Sequence, residues 1–141
     1  MLRAVVDTNV LVSAVIKPRG ATGPVLRHLR NADFVLIYSE PLLTEVADVL
    51  NRPRLRDKYG LTPQDVETVV ALILFRGEAV VPTRRITQVR DPRDNMVLEA
   101  AVDGRADVVV SGDNDLLSIE AFEAIRILPP AEFLALLSTG S

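Results

Sequence analysis

Leu2-Arg3-Ala4-Val5-Val6 runs straight into Asp7-Thr8-Asn9, and these into a second apolar run, Val10-Leu11-Val12-Ser13-Ala14-Val15-Ile16. The first run is short and rich in β-branched residues, the signature of a buried strand. Asp7 ends it. A carboxylate caught between two apolar segments is partly buried and needs a partner. This stretch therefore reads as an interior strand with a polar group at its carboxyl end.

Four further segments carry the strand signature: Asp33–Tyr38, Ala79–Pro82, Asp107–Val110 and Ile125–Leu128. Segments with helical spacing lie between them. Pro24–Arg30 sets Val25, Leu26 and Leu29 on one face, and Pro41–Leu50 does so with Leu43, Val46, Ala47 and Leu50. Asp94–Val102 and Pro130–Leu137 follow the same spacing. In Thr62–Phe75 the stripe of Val66, Val69, Val70 and Ile73 is widened by Leu72, Leu74 and Phe75. That is more than one sheet face needs, so the excess is either buried in the monomer or belongs to a partner interface. Ser39-Glu40-Pro41, Thr62-Pro63-Gln64-Asp65 and Asp91-Pro92-Arg93-Asp94 are helix-start signals, each with a capping side chain and an early proline. Strands alternating with helices predict an α/β three-layer sandwich, with a central parallel sheet of about five strands. The length of 141 residues suits a single domain over residues 1–138, with 139–141 as a frayed end.

Composition removes several chemistries. There is no cysteine, hence no disulfide framework, thiolate zinc site or cysteine nucleophile. The single histidine, His28, lies among surface arginines and supports neither a His-rich metal site nor a histidine triad. The net charge of −3 is not that of a generally basic nucleic-acid binder, yet fourteen of the sixteen bases are arginine, the phosphate-matching cation. No uncharged run exceeds nine residues, and Asp7 interrupts the apolar start, so neither a membrane span nor a signal peptide is expected. A cytoplasmic protein is the expectation.

In a parallel sheet, ligands bind outside the carboxyl ends of the strands. Asp7 follows the first strand, and Asp113 and Asp115 follow the fourth through Ser111-Gly112. Asp94 lies in the first turn of the helix after the third strand, and Glu45 one and a half turns into the helix after the second. Four distant segments thus send carboxylates to one edge. Two carboxylates about 5 Å apart repel by about 3 kcal/mol at an effective dielectric near 20, so such a group either holds protons or binds a cation. Oxygen-only ligands favour magnesium or manganese over zinc. Thr8, Asn9, Asn95, Ser111 and Asn114 each adjoin one of these acids and are candidates to orient it. Each group also has a plainer role: Asp94 completing a capping box with Asp91, Asp113-Asn114-Asp115 forming a turn, Glu45 a solvated helix charge.

Asp7-Thr8-Asn9-Val10-Leu11-Val12-Ser13-Ala14 resembles the opening motif of the PIN-domain nucleases. Thr44-Glu45-Val46 with Val49-Leu50-Asn51-Arg52-Pro53 is similar to the second motif of one prokaryotic branch. Asp91-Pro92-Arg93-Asp94-Asn95 and Ser111-Gly112-Asp113-Asn114-Asp115-Leu116-Leu117 are similar to the third and fourth. The ordered set covers the chain from Met1 to about Leu128. The resemblance implies a Mg2+- or Mn2+-dependent endoribonuclease with catalytic acids Asp7, Glu45, Asp94 and Asp113, and with Asp7, Asp94, Asp113 and Asp115 as metal ligands. It leaves open Asp91 against Asp94 and Asp113 against Asp115, with Glu40 and Asp48 as weaker rivals of Glu45. It also implies products with 5′-phosphate and 3′-hydroxyl ends, a homodimer, and the toxin role of a toxin–antitoxin pair with a small protein inhibitor.

Two arginine runs flank the acidic edge and are candidate RNA contacts: Arg52, Arg54, Arg56 and Lys58 in one, and Arg84, Arg85, Arg90 and Arg93 in the other. Without Trp, and with few Tyr and Phe, stacking of bases on aromatic platforms is a poor model. A phosphatase of the haloacid-dehalogenase type wants a second aspartate where Asn9 stands, and a receiver domain wants a lysine after its last strand, whereas Lys17 and Lys58 are the only lysines. A non-catalytic RNA- or protein-binding module that kept the fold is the remaining alternative.

Overall fold

The computed structural model describes residues 1–139. In chain order the elements are β1 (Arg3–Val6), α1 (Thr8–Ile16), α2 (Gly23–Arg30), β2 (Val35–Ser39), α3 (Glu40–Leu50), α4 (Pro53–Tyr59), α5 (Pro63–Arg76), β3 (Gly77–Val80), α6 (Pro92–Asp103), β4 (Val108–Val110), α7 (Asn114–Leu117), β5 (Ala121–Phe122), β6 (Ile125–Leu128) and α8 (Pro130–Thr139). All five expected strands form, with no end shifted by more than two residues and Ile125–Leu128 unchanged. Thr139, expected in a frayed end, closes α8, and Gly140 and Ser141 lie outside the described residues.

The strands make one sheet in the order β3-β2-β1-β4-β6-β5. Every pairing is parallel except β5 with β6. The sheet therefore has six strands, one more than the sequence signals. The extra strand, β5, is only two residues long and has no apolar run to announce it. It is joined to β6 through Glu123 and Ala124, both in the left-handed region at φ 49° and 70°, as a two-residue hairpin turn requires.

The side chains alternate across the sheet. Ala4, Val6, Leu36, Val108, Val110 and Leu128 face one core, which also takes Val10, Val25, Leu29, Val69, Ile73 and Phe133 from the helices. Val5, Ile37, Val109, Ile125 and Ile127 face the other, with Val97, Leu98 and Ala101 of α6 and Leu116 of α7. In the first core Phe133 meets Phe34 edge to face at 5.0 Å. In the second, the strap from Val81 to Asp91 contributes the buried Ile86. Three side chains four residues apart on α6 hold that strap down. Asp103 accepts the Thr83 amide at 2.7 Å, Glu99 the Ile86 amide at 2.8 Å, and Asn95 the Val89 amide at 2.9 Å.

Helix α5 buries Val66, Val69 and Ile73 only. Leu74 and Phe75 stay 54% and 78% exposed, and Val81 just beyond β3 is 85% exposed, so the monomer does not absorb the whole apolar stripe. The basic run Arg54–Lys58 forms α4, a helix with no buried residue and so no apolar periodicity to reveal it.

Candidate active site

The chain leaves β1 toward β2 and β3 on one side and returns to β4 and β6 on the other. The strand order thus reverses between β1 and β4, and the crevice at their carboxyl ends is the ligand position of such sheets. Asp7 ends β1 with its amide on Val110 O of β4 at 2.8 Å, and Ser111 ends β4 with its amide on Leu128 O of β6 at 3.0 Å. Two adjacent strand ends therefore present Asp7 and Ser111 side by side.

Ser111 is fully buried. Its hydroxyl donates to Asp7 Oδ2 at 2.7 Å, and its oxygen accepts the Asp113 amide at 3.0 Å. Asp113 caps α7, its Oδ1 accepting the Asp115 amide at 2.8 Å. Across the crevice, Asp91 caps α6 through the Arg93 amide at 3.0 Å. Asp94 does not reach back to complete a capping box there, in contrast to Asp65, which does so with Thr62 at the head of α5. Asp94 turns inward instead. One carboxylate oxygen each from Asp94, Asp113 and Asp115 lies within 4.8 Å of the other two.

The electrostatics of this group are unfavourable without a cation. Asp94 is only 6% exposed, and its Oδ2 is buried with no hydrogen-bond partner. Burial pushes its pKa up to about 7, helped by the neighbouring Asp113 carboxylate and the charges of Asp7 and Asp91. Burial also raises Asp7, against the Ser111 hydroxyl and the first amides of α1 at Asn9 and Thr8, while Asp113 adds to the rise. A buried carboxylate oxygen without a donor, beside two more carboxylates and no histidine or cysteine, fits a hard divalent cation bound through oxygen.

The other candidates are placed as follows. Glu45 lies outside the three-acid cluster and faces the Arg93 guanidinium at 3.6 Å. Glu45, Glu40, Asp48, Arg52 and Arg93 line a cleft of about 560 Å3 between α3 and α6. The Thr8 hydroxyl is buried without a partner, whereas Asn9 and Asn114 are exposed. Asn95 is buried but serves the strap, its amide group donating to Val89 O at 2.6 Å while its oxygen accepts Val89 N–H. Arg84 is paired with Glu123 and lies 5.9 Å from the Phe122 ring. Arg54, Arg85 and Arg90 are exposed and take part in none of the ion pairs among the described residues. His28, expected at the surface, is half-buried, with Nδ1 2.7 Å from Asp33. Glu99 and Asp103 were not among the sequence candidates. The signal was their four-residue spacing from Asn95 on a helix that the strap must cross.

Comparison with known proteins agrees with this geometry. The chain is 29% identical over 120 residues to the uncharacterized protein MJ1680 of Methanocaldococcus jannaschii, an alignment covering 84% of this chain and 75% of that protein. A PIN domain family model matches residues 3–115, a span that runs from β1 through Asp115 and holds all the acids of the crevice. PIN domains are generally nucleases and typically use divalent metals. The chain belongs to the PIN domain family.

Proposed function

We propose that this protein is a metal-dependent endoribonuclease that hydrolyses RNA phosphodiester bonds at the carboxyl end of its sheet. The observation that carries the reading is Asp94, whose carboxylate has a buried, partnerless Oδ2 and an oxygen within 4.8 Å of one oxygen each of Asp113 and Asp115. In this reading Asp94, Asp113 and Asp115, with Asp7 behind them, hold Mg2+ or Mn2+. The bound ion supplies a water activated for attack on phosphorus and neutralises charge on the leaving oxygen. Ser111 aims Asp7 and opposes the rise in its pKa, and the caps of α6 and α7 fix the approach of Asp94 and Asp113. Glu45 is the fourth catalytic acid. Arg52, Arg54, Arg84, Arg85, Arg90 and Arg93 position the strand through its phosphates.

The same reading gives products with 5′-phosphate and 3′-hydroxyl ends, because the attack uses water and not the substrate's own 2′-hydroxyl. The exposed Leu74, Phe75 and Val81 support a partner face, which we assign to a homodimer. A cytoplasmic toxin held in check by a small protein inhibitor is the biological role we propose. No helix among the described residues is long and apolar enough to cross a membrane.

The test is cleavage of a mixed single-stranded RNA pool by the protein and its Asp94→Asn variant, with manganese or a chelator, and mapping of product ends. Manganese-dependent cuts with 5′-phosphates that vanish in the variant are expected. Equal cutting by the variant would remove the site from the chemistry. A fold-retaining binding module would bind the pool and cut nothing.

A further inference from the structure

Glu45 and Arg93 form the longest of the four ion pairs among the described residues, at 3.6 Å. That is beyond good hydrogen-bond geometry. The pair is also lopsided: the Arg93 side chain is 66% exposed and the Glu45 side chain 21%. A guanidinium so exposed leaves such a contact at little cost, whereas the carboxylate stays behind in a partly desolvated wall. Both groups line the cleft between α3 and α6, where Arg52 is the other arginine and Val49 and Met96 supply apolar surface. Arg93 stands beside Asp94 in the first turn of α6 and lines the same cleft as Glu45.

We propose that Arg93 is an exchange residue. In the free protein it neutralises Glu45. When a single-stranded nucleic acid enters the cleft, its guanidinium transfers to a strand phosphate and leaves the Glu45 carboxylate available to the divalent ion. The inference rests on the nuclease reading above. A guanidinium fork on a phosphate, held by two parallel hydrogen bonds, is preferred to a single contact with a carboxylate at 3.6 Å. Glu45 without its counter-ion is a half-buried charge in need of a new one. Strand and ion are thereby coupled, and each tightens the other by the same factor. The recessed position of Asp94 favours a single strand, which is free to unstack and follow a depression where a duplex is not.

The test is Mn2+ binding, followed by electron paramagnetic resonance, with and without an eight-nucleotide phosphorothioate single-stranded RNA. In the wild-type protein the oligonucleotide is expected to tighten Mn2+ about 5-fold or more, the lower bound of ordinary coupling between sites. In Arg93→Gln, Mn2+ binds more tightly without the oligonucleotide, and the coupling falls below about 2-fold. In Glu45→Gln/Arg93→Gln the tightening relative to Glu45→Gln is absent, because it acts through Glu45. Equal tightening with and without Glu45 would mean that only long-range charge is at work and would overturn the exchange. Unchanged coupling in Arg93→Gln would overturn it as well. Asp94→Asn reports separately on the nuclease reading, since loss of Mn2+ binding there stands whatever Arg93 does. A wild-type protein that binds no Mn2+ would overturn both. Arg93 is exposed, and circular dichroism of its variant confirms an intact fold.

Discussion

The Ser111 hydroxyl and the Asp7 carboxylate, 104 residues apart in sequence, meet at 2.7 Å in a fully buried contact at the reversal of strand order. The same hydroxyl oxygen accepts the Asp113 amide, so one side chain ties the end of β1 to the start of α7. Ser111→Ala would leave a buried carboxylate short of a donor. We expect a loss of about 1–3 kcal/mol of stability at neutral pH, a further rise in the Asp7 pKa, and weaker divalent-ion binding. Urea unfolding with and without Mn2+ measures both effects.

The acid cluster makes metal-free stability fall with rising pH. Asp94 titrates near 7 in the folded protein, against an ordinary value of 3.8. Its contribution is fully present below the unfolded pKa and is lost as pH rises through about 7. Asp7 is shifted in the same direction. The urea midpoint of metal-free protein is expected to be lower at pH 8 than at pH 5. Asp94→Asn should flatten that difference and stabilise the metal-free protein at pH 8 by at least about 1 kcal/mol, the worth of a single pKa unit. Added Mn2+ should stabilise the wild-type protein more at pH 8 than at pH 5, because the ion binds the ionised carboxylates. A midpoint that rises toward pH 8 without metal would refute this account.

The strap has its own signature. Asn95 holds Val89 by both its amide and its carbonyl. Asn95→Ala removes two hydrogen bonds at a buried position, a cost of about 1–3 kcal/mol. The damage is local, so limited trypsin digestion should cut after Arg85 or Arg90 well before global unfolding, and mass spectrometry of the fragments locates the cut.

Salt dependence separates the strap arginines. Each phosphate that an arginine neutralises on a single strand adds about 0.7 to the steepness of log affinity against log salt. Arg85→Ala and Arg90→Ala should each reduce the steepness by about that amount in fluorescence anisotropy titrations. Arg84→Ala should reduce it less, because its guanidinium is engaged by Glu123.

Phe75 is 78% exposed, so Phe75→Glu should change urea stability by less than about 0.5 kcal/mol. Sedimentation is expected to report a dimer for the wild-type protein, as proposed above, and a monomer for the variant. A wild-type protein that sediments as a monomer at high concentration would withdraw the partner face.

Much of this was legible in the sequence, for reasons that differ by element. The strands around Val5, Leu36, Val109 and Ile127 announce themselves because a strand buried on both faces must be apolar at nearly every position. Asp7 was legible because a charge that ends such a run has nowhere solvated to go. Strand β5 and helix α4 were not, since two residues have no period and a helix that buries nothing has no stripe. Asn95 was misleading. Adjacency to Asp94 suggested that it served the acid, but one residue along a helix is a turn of about 100°, which carries it to Val89 and the strap.

The sequence by itself determined the α/β order, the two-faced strands and the arrival of acids from separate segments at one edge, because periodicity and helix caps are local properties. Only the tertiary structure decided which of those acids share a space. It grouped Asp94 with Asp113 and Asp115, linked Asp7 to them through Ser111, and set Glu45 against Arg93. Those arrangements depend on helix orientation and side-chain direction at distances of a few ångströms, and the packing of α3 and α6 against the sheet sets both.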